Sequence, residues 1–143
     1  MLRPLTRSLS VCKHVPSSTV VFSRSLSNAS ASPKLHHFMI YAPDCTDSSA
    51  VERRFSVRPK HLEGVAPLIA NRTIKVAGMF VTPESILPGA TTKTPKGSLL
   101  IVEAETIDDV HKMIKNDIYY TSKAWDPEQL VILPFLPVTP LDK

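Results

Sequence analysis

Four short apolar runs, two stretches with helix-start signals and an acid-free basic leader predict an α+β domain of order β-α-β-β-α-β behind a removable N-terminal segment. Leu35–Tyr41 reads as the first strand and stops at Pro43. Ser49-Ala-Val-Glu52 has capping-box spacing and starts a helix. Pro59 then breaks or kinks that helix, or opens a second one, because proline lacks an N–H and clashes with the preceding turn. On either reading 59–70 is helical and Asn71 is the stop. Thr73–Val81 is the second strand, with Gly78 inside it, and 83–97 is a long loop over one end of the sheet. Ser98–Ala104 is the third strand. Thr106-Ile-Asp-Asp109 starts a helix to about Asn116, its acids well placed for the helix dipole. A fourth strand lies near Gln129–Leu136.

This order is that of the ferredoxin-like folds, a four-stranded antiparallel sheet with its helices on one face. A solvated second face would make the strands alternate apolar and polar. Val76–Val81, Leu99–Val102 and Leu130–Leu133 are instead nearly continuous apolar runs. The uncovered face is therefore expected to be buried by a second copy, giving a homodimer packed sheet face to sheet face.

The net charge of +4 belongs to the leader. Residues 1–33 hold Arg3, Arg7, Lys13 and Arg24 and no acid; the remaining thirteen Lys and Arg are matched by thirteen Asp and Glu. The body thus lacks the basic stripe that nucleic-acid binding needs. Basic, Ser-rich and acid-free describes a mitochondrial transit peptide over 1–33, with processing expected within 25–34 and a matrix location; a disordered basic tail is the alternative. No apolar run approaches the length of a membrane span. Cys12 leaves with the leader, and Cys45 alone cannot form an internal disulfide, as suits a reducing compartment. No basic residue near Cys45 in sequence favours its thiolate.

At about 100° per residue, helix 59–70 puts Leu62, Val65, Leu68 and Ile69 on the same side as His61, with Arg58 joining them if the helix reaches back. Inward-facing cationic groups are costly to bury unpaired, so they line a cleft, unless His61 is a core histidine satisfied by a backbone carbonyl. Helical geometry alone leaves both open.

Tyr41-Ala-Pro-Asp-Cys-Thr-Asp-Ser48, followed by Arg54-x-Ser-Val-Arg-Pro-x-His-Leu62, resembles the opening half of the YCII-related family. Its members are small dimeric α/β-barrel proteins, similar in architecture to muconolactone isomerases. Ala77-Gly78, Gly97-Ser98 and Pro134-Phe135 match later markers, so the resemblance covers about 37–136. It implies a catalytic His–Asp pair, His61 with Asp117. The family's Asp-Pro-Tyr reads Asp117-Ile118-Tyr119 here, and Ile118 leaves the backbone less fixed than proline would. Asp117 as a plain helix-terminating acid is the alternative.

If the pair forms, the carboxylate fixes the imidazole tautomer and the other ring nitrogen is a general base or acid. Arg54, Ser56 or Arg58 would hold an anionic or enolate oxygen, with Tyr119 beside the substrate. The chemistry implied is isomerase, lyase or dehydrohalogenase-like proton transfer; one member type eliminates chloride from chlorinated hydroxyquinols. A non-catalytic dimeric module binding a small aromatic or acidic metabolite is the competing class. Tyr119, Tyr120 and Trp125 wall the cleft or pack the core. His36-His37 has no third ligand at zinc-like spacing and no Gly-rich phosphate cradle occurs, so neither metal nor cofactor is expected.

Overall fold

The computed structural model describes residues 32–141. The elements run β1 (His36–Pro43), α1 (Ala50–Ala70), β2 (Ile74–Val81), a 3₁₀ turn (Pro83–Ile86), β3 (Pro95–Ala104), α2 (Ile107–Asn116), α3 (Ile118–Thr121) and β4 (Val131–Phe135). The sheet is antiparallel throughout, in the order β2-β3-β1-β4. The ferredoxin-like α+β reading therefore holds. Apart from Ser32 and Pro33, the expected leader, with Cys12, lies outside the described residues.

Strand register sorts the side chains onto two faces. Phe38, Ile40 and Ala42 of β1 and Leu100 and Val102 of β3 join Val65 of α1, Val110 and Ile114 of α2 and Tyr119 of α3 in one buried cluster. Tyr41, Val76, Phe80, Val131 and Leu133 point the other way and remain exposed. Leu133 is 52% accessible. The second face is apolar and uncovered in the single chain. At one end a register shift between Ile74 and Val76 brings Lys75 within 2.9 Å of Glu103, whose other oxygen lies 3.7 Å from His37.

Four details differ from the sequence expectations. Pro59 neither breaks the first helix nor opens a second: α1 is one 21-residue helix with Pro59 and Pro67 inside it. Both prolines and the residues four positions earlier, Phe55 and Glu63, are exposed, so the freed carbonyls can reach water. Packing on either side, by buried Arg54 and Val65, holds the helix together. Ser49 stands at the N-cap without the expected box, its hydroxyl donating to Asp47 Oδ1 at 2.7 Å. Thr106 does cap α2, accepting from the Asp109 N–H at 3.2 Å. The loop expected over 83–97 is shorter, because β3 begins at Pro95 and Ser85 ties the 3₁₀ turn to Thr94 at 2.9 Å. Short α3 was not anticipated.

Gly97 has φ of +145°, and a Cβ there would lie 2.6 Å from the Ala42 carbonyl oxygen. Only glycine lets β3 approach the end of β1 so closely. That approach matters because Asp44 follows directly. The segment after α3 closes on the same place: Cys45 N–H donates to the Ala124 carbonyl at 3.0 Å and Asp126 N–H to the Pro43 carbonyl at 2.8 Å. Arg53 fastens the start of α1 to it, donating to the Lys123 carbonyl at 2.9 Å and to both Asp47 oxygens. That guanidinium and the Ser49 donors hold the exposed Asp47 carboxyl well below its ordinary range.

Candidate functional site

His61 sits on the inner side of α1, and Asp117 occupies the joint between α2 and α3. Asp117 has the extended backbone (φ −70°, ψ 140°) of a residue outside a helix, and its side chain caps α3 by accepting the Tyr119 N–H at 2.7 Å. The cap positions Asp117 without the family's proline, and Ile118 takes the first helical position, where proline is well tolerated. The His61 Nδ1 lies 2.9 Å from both Asp117 oxygens. The two side chains are 11% and 13% accessible, so the pair is shielded but open on one side.

Aromatic rings hold the imidazole flat. Tyr119 stacks on His61 with centroids 3.8 Å apart and planes 13° from parallel. Trp125 meets His61 and Tyr119 in T-shaped contacts at 5.7 and 5.4 Å. The Arg54 guanidinium carbon stands 4.4 Å over the Tyr119 centroid. One ring face holds a single group at such distances, so Arg54 and His61, two helical turns apart on α1, clasp Tyr119 between them.

Arg54 is itself fixed. It is 2% accessible, paired with Asp44, and donates to Ser98 Oγ at 2.9 Å. Ser98 Oγ also accepts the Trp125 indole N–H at 3.2 Å. Burial raises the Asp44 carboxyl above its ordinary value, although the Arg54 charge and hydrogen bond pull the other way. Asp44, Ser98 and Trp125 thus form a buried polar frame behind the stack.

Two cavities meet at His61. One, about 260 Å³, lies between α1 and strands β2 and β3 and is bordered by Arg54, Arg58, Leu62, Met79 and Tyr119. The other, about 310 Å³, lies on the Asp117 side with Lys60, Met113 and Ile118. Arg58 is half-buried and has no acceptor among the described residues. Of the residues singled out in the sequence, His61, Asp117, Arg54, Arg58 and Tyr119 are thus brought together. Ser56 is not: it is exposed, and its hydroxyl donates to the Arg53 carbonyl at 2.8 Å. Cys45 is half-buried, and its thiol donates to the Trp125 carbonyl at 3.5 Å. Among the described residues no group of three or more His, Cys, Asp or Glu could hold a metal, and no helix is long and apolar enough to cross a membrane.

The YCII-related domain model matches residues 37–135. Protein YciI of Escherichia coli O6:H1 is 33% identical over 98 residues, 68% of this chain and 94% of that one. Aspartate kinase FUB3 of Fusarium oxysporum f. sp. lycopersici is 26% identical over 102 residues, 71% of this chain. Aspercryptin biosynthesis cluster protein B of Emericella nidulans is 23% identical over 99 residues, 69% of this chain. The chain spans only 18% of the length of the former and 62% of the latter. Among solved structures, the 5-chloro-2-hydroxyhydroquinone dehydrochlorinase of Burkholderia phenoliruptrix AC1100, in complex with 2,5-dihydroxybenzoquinone, is 27% identical with a TM-score of 0.57. The match covers 70% of this chain and 93% of that one.

Proposed function

The chain belongs to the YCII-related domain family, and from that premise we propose that it is a small-molecule enzyme that moves protons through a His61–Asp117 pair, without a bound cofactor. The observation that carries this reading is the contact of His61 Nδ1 with both Asp117 oxygens at 2.9 Å. A carboxylate there keeps the proton on Nδ1 and leaves the Nε2 lone pair free to act as a base. When Nε2 takes a proton from substrate, Asp117 offsets the imidazolium charge. The electron pair left on the substrate either shifts a double bond, as in an isomerase, or expels a leaving group such as chloride, as in a lyase or dehydrohalogenase. Similarity to a dehydrochlorinase supports the second course. The test is chloride release from 5-chloro-2-hydroxyhydroquinone and related chlorinated quinols by the full chain. Wild type is expected to exceed His61→Ala, and equal rates for the two would remove the reading.

The competing module, which only binds a small aromatic or acidic metabolite, uses the same cavity. It predicts that His61→Ala alters affinity alone, with no turnover to lose. In either case the exposed apolar face with Phe80, Val131 and Leu133 favours a homodimer packed sheet face to sheet face. Light scattering is expected to give twice the chain mass; a monodisperse monomer would refute it. Residues 1–33 are proposed to direct the protein to the mitochondrial matrix, which cytosolic retention of a fluorescent protein carrying them would contradict.

A further inference from the structure

Resting on the same cavity and on His61 as the function proposed above, we infer that the ligand held between α1 and strands β2 and β3 is a small organic monoanion, a carboxylate on an apolar body, with its charge on Arg58. The charge count comes first. The cavity is bordered by Arg54, Arg58 and His61 and by no Asp or Glu. Arg54 is neutralised from behind by Asp44, and His61 faces Asp117 on its other flank. Arg58 is left as one cation without an acceptor among the described residues. A half-buried guanidinium in that position favours an anion of single charge.

The shape of the charged group fits the same assignment. A carboxylate is acceptor-only and planar, which suits a guanidinium.

The remaining wall sets the body of the ligand. Leu62, Val65, Ile69, Met79 and Leu100 are apolar, so inorganic phosphate or another fully hydrated anion would forfeit its solvation against them. At about 260 Å³ the space falls just below the ~300–1,000 Å³ of drug-sized sites, room for one ring or a short branched chain.

Benzoate and benzamide, nearly equal in shape but not in charge, are the probes. In NMR titrations of the labelled full chain, benzoate is expected to shift the amides of Arg58, Leu62 and Met79 saturably at millimolar concentration. Benzamide is expected to bind at least about tenfold more weakly, the scale of one charged hydrogen bond. Arg58→Gln should abolish the preference and Arg58→Lys restore part of it, with unfolding midpoints recorded for both; Lys60→Gln, next door on α1, should leave it intact. Equal binding of the two probes, no saturable benzoate binding, or an unchanged preference in a folded Arg58→Gln would each overturn the inference. The wild-type preference for benzoate separates this from the catalytic reading: it is read without turnover, and its absence would overturn the inference while leaving the His61–Asp117 proposal standing.

Discussion

Asp44→Ala is expected to lower the unfolding free energy by about 3–5 kcal/mol, the usual consequence of stranding one member of a buried ion pair. Arg54 has no route to water at 2% accessibility. Its far side is closed by the Tyr119 ring, and its other partner, Ser98, is neutral. Deleting the carboxylate leaves a full charge facing a π-system and a hydroxyl. Asp44→Asn should be milder, since burial already works against the charged carboxyl and an amide oxygen can still accept from Arg54. Arg54→Met combined with Asp44→Leu should be milder than either single loss, because it removes the pair together. Urea unfolding of these variants, with Arg54→Met and Asp44→Leu alone as references, measures this. A loss below about 1 kcal/mol for Asp44→Ala, the range of an exposed pair, would mean that water reaches the site.

Asp117→Asn is the corresponding change for chemistry, with turnover expected to fall by about 10²–10⁴, the usual worth of an acid/base catalyst. The amide keeps an oxygen to accept the Tyr119 N–H, so the α3 cap and the stack should survive with little change in unfolding midpoint. What changes is the imidazole: an amide can present either its oxygen or its NH₂ to Nδ1, so the proton is no longer confined there. Nitrogen-15 spectra of labelled protein report the His61 tautomer directly. The wild-type neutral ring should carry its proton on Nδ1 and the variant should show a mixture. An identical tautomer in both would leave Asp117 as a cap for α3 and nothing more.

Much of the fold was legible because it rests on periodicity. The apolar strands, the α2 cap at Thr106 and the stripe containing Val65 are local patterns. Pro59 misled because proline's local penalty can be outweighed by tertiary packing, here by Arg54 and Val65 on either side of it. Four residues of α3 are too few to show a period.

At the site, helix geometry turned His61 inward but could not choose between cleft and core; Asp117, 56 positions away, came only through family resemblance. The frame behind the stack was not legible at all. In the sequence Asp44 is only a position in the family motif and Ser98 only a strand opener, and their roles arise from contacts spanning 10 and 44 positions to Arg54. Ser56 seemed part of the cluster through its place in the motif, whereas its position on the helix turns it to solvent.

The shift that presents Lys75 and the proline inside β4 bear on how copies can meet. Strands β2 and β4 are the two outermost, and such strands ordinarily offer unpaired N–H and C=O groups to any extended neighbour. The bulge interrupts the regular ladder of one rim, and Pro134 deprives the other of a donor. Both rims are thereby poor templates for an added strand. A monomer held at high concentration should resist fibril-type growth along the sheet despite its apolar face, and stacking that broad face remains the favoured route to assembly.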